Sequence, residues 1–128
     1  MVNSRVNKLG YRYSHVSNDD GKTWISKKEE SIIDPGCNGS LIRYSHGEKN
    51  LLLLTNINNK KERQDIVLRY SIDEGKSWSN PKIIYNGEAA YSSMTVMENG
   101  SLGLFFEMDN YTKNVFTSIS IKDVLSYE

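Results

Sequence analysis

Two stretches of this chain are nearly identical: Ser17-Asn18-Asp19-Asp20-Gly21-Lys22-Thr23-Trp24 and Ser71-Ile72-Asp73-Glu74-Gly75-Lys76-Ser77-Trp78. Both obey S-x-D-x-G-K-[ST]-W, with five positions identical and one Ser/Thr exchange. The template joins an acceptor side chain (Asp19, Asp73), a residue that tolerates positive φ (Gly21, Gly75) and a large apolar side chain three residues later (Trp24, Trp78). Such a set describes a folded turn. Asp accepts hydrogen bonds from the turn's own N–H groups, Gly takes the left-handed conformation, and Trp plugs the turn onto neighbouring strands. These six residues are therefore expected to hold turns rather than touch a ligand. The aspartates superficially suit a calcium loop, but neither copy has alternating oxygen ligands followed by a glutamate at the twelfth position, so neither metal nor cofactor is expected.

Ser17 and Ser71 lie 54 residues apart. About four short strands fit in one such period, which is the content of a four-stranded antiparallel propeller blade. The intervening sequence supplies them. Tyr11 to Val16 alternates with period two and runs into the first repeat; Ser31-Ile32-Ile33 reads as a short outer strand, with Lys27-Lys28-Glu29-Glu30 before it as a solvated loop or edge. Ser40–Tyr44 and Leu51–Thr55 form a hairpin whose second arm is apolar on both faces and so reads as an inner, buried strand. Asp65–Tyr70 feeds the second repeat. Beyond Pro81, Lys82–Tyr85 reads as a short strand ended by Asn86-Gly87, and Tyr91–Met97 and Leu102–Phe106 flank Asn99-Gly100, a strong hairpin signal. Val115–Ile121 is the last strand. No stretch has helical periodicity with caps, so the fold class is all-β, with one complete blade and parts of two others. Roughly two and a half blades cannot close a ring, which implies a longer polypeptide or self-association.

Charge excludes several functions. The chain has 16 basic and 16 acidic residues, interspersed, so neither nucleic acid nor an anionic membrane surface is an expected partner. The longest apolar run, Leu51–Leu54, is far too short to cross a bilayer as a helix, and Met1-Val2-Asn3-Ser4-Arg5 has no signal-peptide core. A single cysteine, Cys37, allows no internal disulfide. Asn38-Gly39-Ser40, Asn99-Gly100-Ser101 and Asn110-Tyr111-Thr112 match the N-glycosylation acceptor pattern.

The repeated octapeptide resembles the Asp-box of bacterial-type exo-α-sialidases, and two further segments extend the resemblance. Asp34-Pro35-Gly36-Cys37-Asn38-Gly39-Ser40-Leu41-Ile42-Arg43 is similar to D-P-x-C-Q-G-S-L-I-R, with Asn38 where Gln is usual. Ala90-Tyr91-Ser92-Ser93-Met94, followed by Asn99-Gly100 and Leu102–Glu107, is similar to A-Y-S-S-L … D-G-x-I-G-L-L-Y-E. The resemblance runs from Val2 to about Leu125 and makes residues 1–128 one partial domain from the C-terminal part of a six-bladed catalytic propeller. It implies an enzyme releasing terminal sialic acid from glycoconjugates with retention, outside the cell or at its surface. In that chemistry the substrate's own carboxylate repels a carboxylate nucleophile, and a neutral tyrosine avoids the clash. Tyr91 is the matching nucleophile. Arg5, in Val2-Asn3-Ser4-Arg5, and Arg63, eight residues before Ser71, match two of three arginines that grip the substrate carboxylate with planar forks; Arg12 is a nearby competitor for the first of these places. Glu107 matches a glutamate that buttresses the first arginine of the triad. The triad's first arginine, the aspartate acid/base and the glutamate that activates tyrosine match nothing here. The resemblance thus implies that the chain alone is inactive. The implied partners are sialylated glycans and the missing N-terminal part of the propeller or a second copy; the other reading is a non-catalytic, glycan-binding or scaffolding propeller piece.

Overall fold

The computed structural model describes residues 1–126. It is built from antiparallel strands in two sheets. The first contains β1 (Val2–Arg5), β2 (Tyr11–Val16) and β3 (Ile25–Ile33), in that order. The second runs β4 (Ser40–His46), β5 (Lys49–Ile57), β6 (Gln64–Ser71), β7 (Lys82–Val96), β8 (Leu102–Met108) and β9 (Lys113–Ile119). This second sheet is two blades sharing one strand. The first half of β7 pairs with β6, Leu68 opposite Lys82 and Gln64 opposite Glu88, whereas its second half pairs with β8, Ala89 opposite Met108 and Val96 opposite Leu102. The chain is thus all-β with blades of three, four and three strand segments.

Several boundaries differ from those read in the sequence. The charged run Lys27–Glu30 belongs to β3, because alternation along this strand lets Glu29 turn inward while Lys28 and Glu30 stay in water. Asn86-Gly87 does not end a strand. Asp65 Oδ1 accepts Asn86 Nδ2–H (3.0 Å) and Gly87 N–H (3.2 Å), which carries β7 on into the next blade, where the small side chains of Ala89 and Ala90 are buried. A short helix, α1 (Ile121–Leu125), follows β9; Ser120 Oγ accepts the Lys122 N–H and Val124 enters the core.

The two octapeptides fold alike. In each, Asp Oδ1 accepts the Ser hydroxyl (2.8 Å in both) and the backbone N–H of Thr23 (2.8 Å) or Ser77 (2.9 Å). The Ser Oγ in turn accepts the Gly N–H at 2.8 Å in both. Gly21 and Gly75 have φ of 86° and 80°, and the preceding Asp20 and Glu74 are also left-handed. Trp24 departs from the anchoring role expected of it. It is 47 % exposed, and its indole N–H bonds Gly21 C=O (3.0 Å), so the ring folds over its own turn instead of a neighbouring strand. Trp78 is half-buried.

The core lies where the second and third blades meet. Tyr44, Leu51, Leu53, Ile57, Ile66, Leu68, Met94, Leu102, Leu104, Phe106 and Val124 form one apolar cluster there. Leu52 and Leu54 are equally buried, on the other side of β5. A strand with neighbours on both faces is apolar throughout, which is why Leu51–Leu54 has no alternation.

Candidate active site

Arg5, Arg63 and Tyr91 are far apart in sequence and come from three blades, yet they meet. Arg5 ends β1; Arg63 ends the loop between β5 and β6; Tyr91 lies in β7 just past the switch between sheets. Arg5 Nη1 donates to Tyr91 Oη at 3.2 Å, and the Arg63 guanidinium carbon sits 5.3 Å from the Tyr91 ring centre. The Arg5 guanidinium carbon is 5.6 Å from the same ring. Tyr91 is 37 % exposed, so its phenol lies open between two cations.

Local chemistry fixes each member. Asp34 Oδ1 accepts the N–H groups of Gly36 (2.8 Å) and Cys37 (2.7 Å), which curls this loop and presents Gly36 C=O to Arg5 Nη1 (3.4 Å). For Arg63, Asn59 Oδ1 accepts the N–H groups of Lys61 and Glu62, both at 2.9 Å, rounding the loop; Arg63 C=O then accepts the Ala89 N–H at 3.0 Å. The backbone beside the nucleophile candidate thus carries the backbone of the arginine. Glu107 Oε2 accepts the Tyr91 N–H (3.2 Å) and, among the described residues, pairs with neither Arg5 nor Arg63. Arg12, the competitor to Arg5, is buried: its guanidinium reaches Asp34 Oδ2 (2.8 Å), Cys37 C=O (2.9 Å) and Asn3 Oδ1.

The electrostatics follow. The hydrogen bond from Arg5, its charge and the nearby Arg63 hold the Tyr91 phenol below the ordinary tyrosine pKa. The same contacts raise Arg5. For Cys37, burial dominates and pushes the thiol up. Such a pair of guanidiniums around an exposed phenol can receive a carboxylate and makes the phenol easier to ionise.

Tyr111 escaped the sequence reading, where it appears only inside a glycosylation pattern. It lies in the β8–β9 hairpin loop, and its Oη accepts from Arg63 Nη1 at 2.7 Å. Only the pairing of β7 with β8 brings that loop opposite Ala90–Tyr91. A polar hollow of about 190 Å³, lined by Arg63, Gln64, Glu88, Asn110 and Tyr111 among others, adjoins this contact.

Residues 1–104 match the profile of the BNR repeat-like domain. The chain belongs to that family. Similar proteins include bacterial sialidases. The sialidase of Bacteroides fragilis is 26 % identical, over 98 % of this chain and 24 % of its own length. That of Micromonospora viridifaciens is 30 % identical, over 84 % and 18 %. Among solved structures, the Hadza microbial sialidase Hz136 superposes with a TM-score of 0.81 at 26 % identity, covering 96 % of this chain and 25 % of that one. The K499G mutant of NanB sialidase from Streptococcus pneumoniae reaches 0.78 at 23 % identity, a likeness of fold. This BNR repeat-like chain thus spans about a quarter or less of the curated relatives it matches. It resembles a glycoside hydrolase family and carries propeller blades of the sialidase kind.

Proposed function

We propose that this chain forms the nucleophile side of an exo-α-sialidase site, acting on terminal sialic acid of glycoconjugates. The observation behind this reading is the meeting of Arg5 and Arg63 around Tyr91 Oη. Sialic acid bears a carboxylate on its anomeric carbon. In the proposed mechanism Arg5 and Arg63 take that carboxylate, which places the anomeric carbon over Tyr91 Oη. The phenol oxygen bonds to the anomeric carbon as the aglycone oxygen leaves with a proton from a general acid, and a base removes the phenol proton. Water then displaces the tyrosine from the anomeric carbon, giving sialic acid with its configuration retained and restoring the phenol. The two cations serve twice: they hold the substrate carboxylate and ease the ionisation of the phenol. Glu107, through the Tyr91 N–H, holds the strand that carries the nucleophile.

The acid and base are assigned to residues beyond those described here, since among these no carboxylate is hydrogen-bonded to Tyr91 Oη. Each such group contributes about 10²–10⁴-fold. The 128-residue chain by itself is therefore expected to turn over a fluorogenic sialoside at close to the uncatalysed rate. Turnover that disappears in Tyr91→Phe would place acid and base within the chain. The carboxylate clamp is tested separately by titrating the protein, followed by NMR, with N-acetylneuraminic acid and with its methyl ester. The acid is expected to bind more tightly and to lose its advantage in Arg5→Ala and Arg63→Ala. Equal binding of both compounds would overturn the clamp and leave a propeller piece that acts as a scaffold.

A further inference from the structure

The turn that carries Tyr111 holds the longest run of left-handed non-glycine residues in the described chain. Asp109, Asn110 and Tyr111 are three consecutive non-glycine residues with positive φ, at 51°, 51° and 66°. Such conformations cost energy for side chains with a Cβ, most of all for a large aromatic, and they persist only where surroundings enforce them. Here Asp109 is the enforcer. Its N–H bonds Glu88 C=O (2.9 Å), its Oδ1 accepts from Tyr85 Oη (2.9 Å), its Oδ2 accepts from Lys113 Nζ (2.6 Å), and its C=O accepts the Thr112 N–H (3.1 Å). A side chain displayed at such expense would ordinarily be packed. Tyr111 is instead 53 % exposed, and its hydroxyl is spent on Arg63 Nη1. The Arg63 guanidinium carbon lies 6.0 Å from the Tyr111 ring and 5.3 Å from the Tyr91 ring, between two aromatic faces.

We propose that Tyr111 is the positioning residue for Arg63: its hydroxyl and ring hold the guanidinium over Tyr91, so the fork is oriented before any carboxylate arrives. An arginine side chain on an exposed loop has several free torsions, and a ligand that must freeze them binds more weakly. One hydrogen bond and two ring faces remove that freedom in advance. The strained turn exists to bring the phenol there. This inference extends the carboxylate-clamp reading, but its central claim concerns the free protein and is testable without ligand.

The decisive measurement is the rotation rate of the Arg63 guanidinium about Nε–Cζ, by NMR on arginine-labelled protein. Rotation is expected to be several-fold slower in the native chain than in Tyr111→Phe; equal rates overturn the proposal. A second variant separates positioning from stability. Tyr111→Gly relieves the left-handed strain, so its thermal midpoint is expected to match or exceed that of the native chain while Arg63 rotates freely. A lower midpoint with Arg63 still slow would make Tyr111 a structural residue and overturn the proposal. In the ligand experiment, Tyr111→Phe is expected to reduce the preference for N-acetylneuraminic acid over its methyl ester about three- to tenfold, the worth of one hydrogen bond. The loss should vanish in an Arg63→Ala background. If Arg63→Ala itself leaves that preference unchanged, the clamp reading fails, and the rotation rate still decides the role of Tyr111.

Discussion

The first and second blades meet through charge, the second and third through hydrocarbon. Between the first two lie Arg12 and Asp34 in a buried 2.8 Å ion pair, Asn56 bonding Ile33 C=O (2.8 Å), and Arg69 donating to Asn56 Oδ1 (2.9 Å) and Asn58 Oδ1 (2.8 Å). Burial, with no carboxylate partner among the described residues, lowers Arg69 to about 10. Glu29, inward-facing on the same sheet as Arg12, keeps one carboxylate oxygen without a partner among the described residues. Across the other boundary Leu53, Ile66, Leu68, Leu102 and Leu104 are wholly or almost wholly buried, and the polar links are uncharged: Tyr44 Oη to Gly100 C=O (2.7 Å), Thr55 Oγ1 with Ser92 Oγ (2.9 Å) and Met94 N–H to Ser40 Oγ (3.1 Å). The apolar contact supplies stability without direction. The polar one supplies little net stability but fixes geometry, since each bond has one acceptable partner. The candidate site straddles both. Arg5, at the end of β1, reaches Tyr91 while held by Gly36 C=O of the loop that Asp34 shapes, whereas Arg63 and Tyr91 are set relative to each other by the apolar core and the β7 switch.

The contrast is broken most strongly at Asp34. Asp34→Ala leaves Arg12 buried without its anion and two N–H groups without their acceptor, an expected loss of about 3–5 kcal/mol in chemical denaturation. Arg12→Met together with Asp34→Ala should recover only part of it, because the Gly36 and Cys37 N–H groups stay unpaired. Full recovery would mean that the ion pair alone holds this boundary. On the apolar side, Leu104→Ala opens a cavity against fully buried neighbours and is expected to cost about 3 kcal/mol. The two variants should differ in kind. Asp34→Ala should also weaken the preference for N-acetylneuraminic acid, by releasing Gly36 and with it Arg5; Leu104→Ala should leave that preference intact in the folded fraction. Gly39→Ala follows with about 1–3 kcal/mol, since a Cβ there would lie 2.5 Å from Thr55 C=O and 3.3 Å from the Arg12 guanidinium. A neutral Gly39→Ala would show that the polar boundary yields more readily than its hydrogen bonds imply.

The same contrast separates what was legible in the sequence from what was not. The apolar boundary announces itself in Leu51–Leu54 and in the hairpin around Asn99-Gly100. The polar boundary is made of residues that read as something else: Arg12 as a rival to Arg5, Asp34 as the first residue of the D-P-x-C segment, Glu29 as part of a solvated charge run. A buried ion pair between a strand and a loop residue 22 positions on leaves no periodic trace, because a single polar residue on a strand looks the same facing water or facing a partner. The site divides likewise. Arg5, Arg63 and Tyr91 could be nominated from motifs, and the fold brings them together. The hydrogen bond that Arg63 donates to Tyr111 could not, since it depends on the β8–β9 loop curling back toward the β7 switch.

The smallest expected effect lies outside both boundaries, in the octapeptide turns. The hydroxyl of Thr23, then its N–H, draws Asp19 down from 3.8 to about 2, and Ser77 does the same for Asp73. A carboxylate whose pKa is depressed by folding contributes stability above its unfolded value and loses it as pH falls through the folded one. Stability should therefore decline between about pH 4 and pH 2, and Asp19→Asn or Asp73→Asn should each flatten that decline. The turns are chemically alike but differently placed. Gly21 is exposed, while Gly75 is buried beneath the Met1 side chain and Lys27 Nζ donates to Lys76 C=O (3.3 Å), so the second turn touches the first blade. Equal flattening by the two substitutions would make each turn a self-contained unit, as its matching hydrogen bonds imply. A larger effect at Asp73 would mean that acid loosens the polar boundary through that turn, and the loss should then carry Arg5 away from Tyr91 in the same pH range.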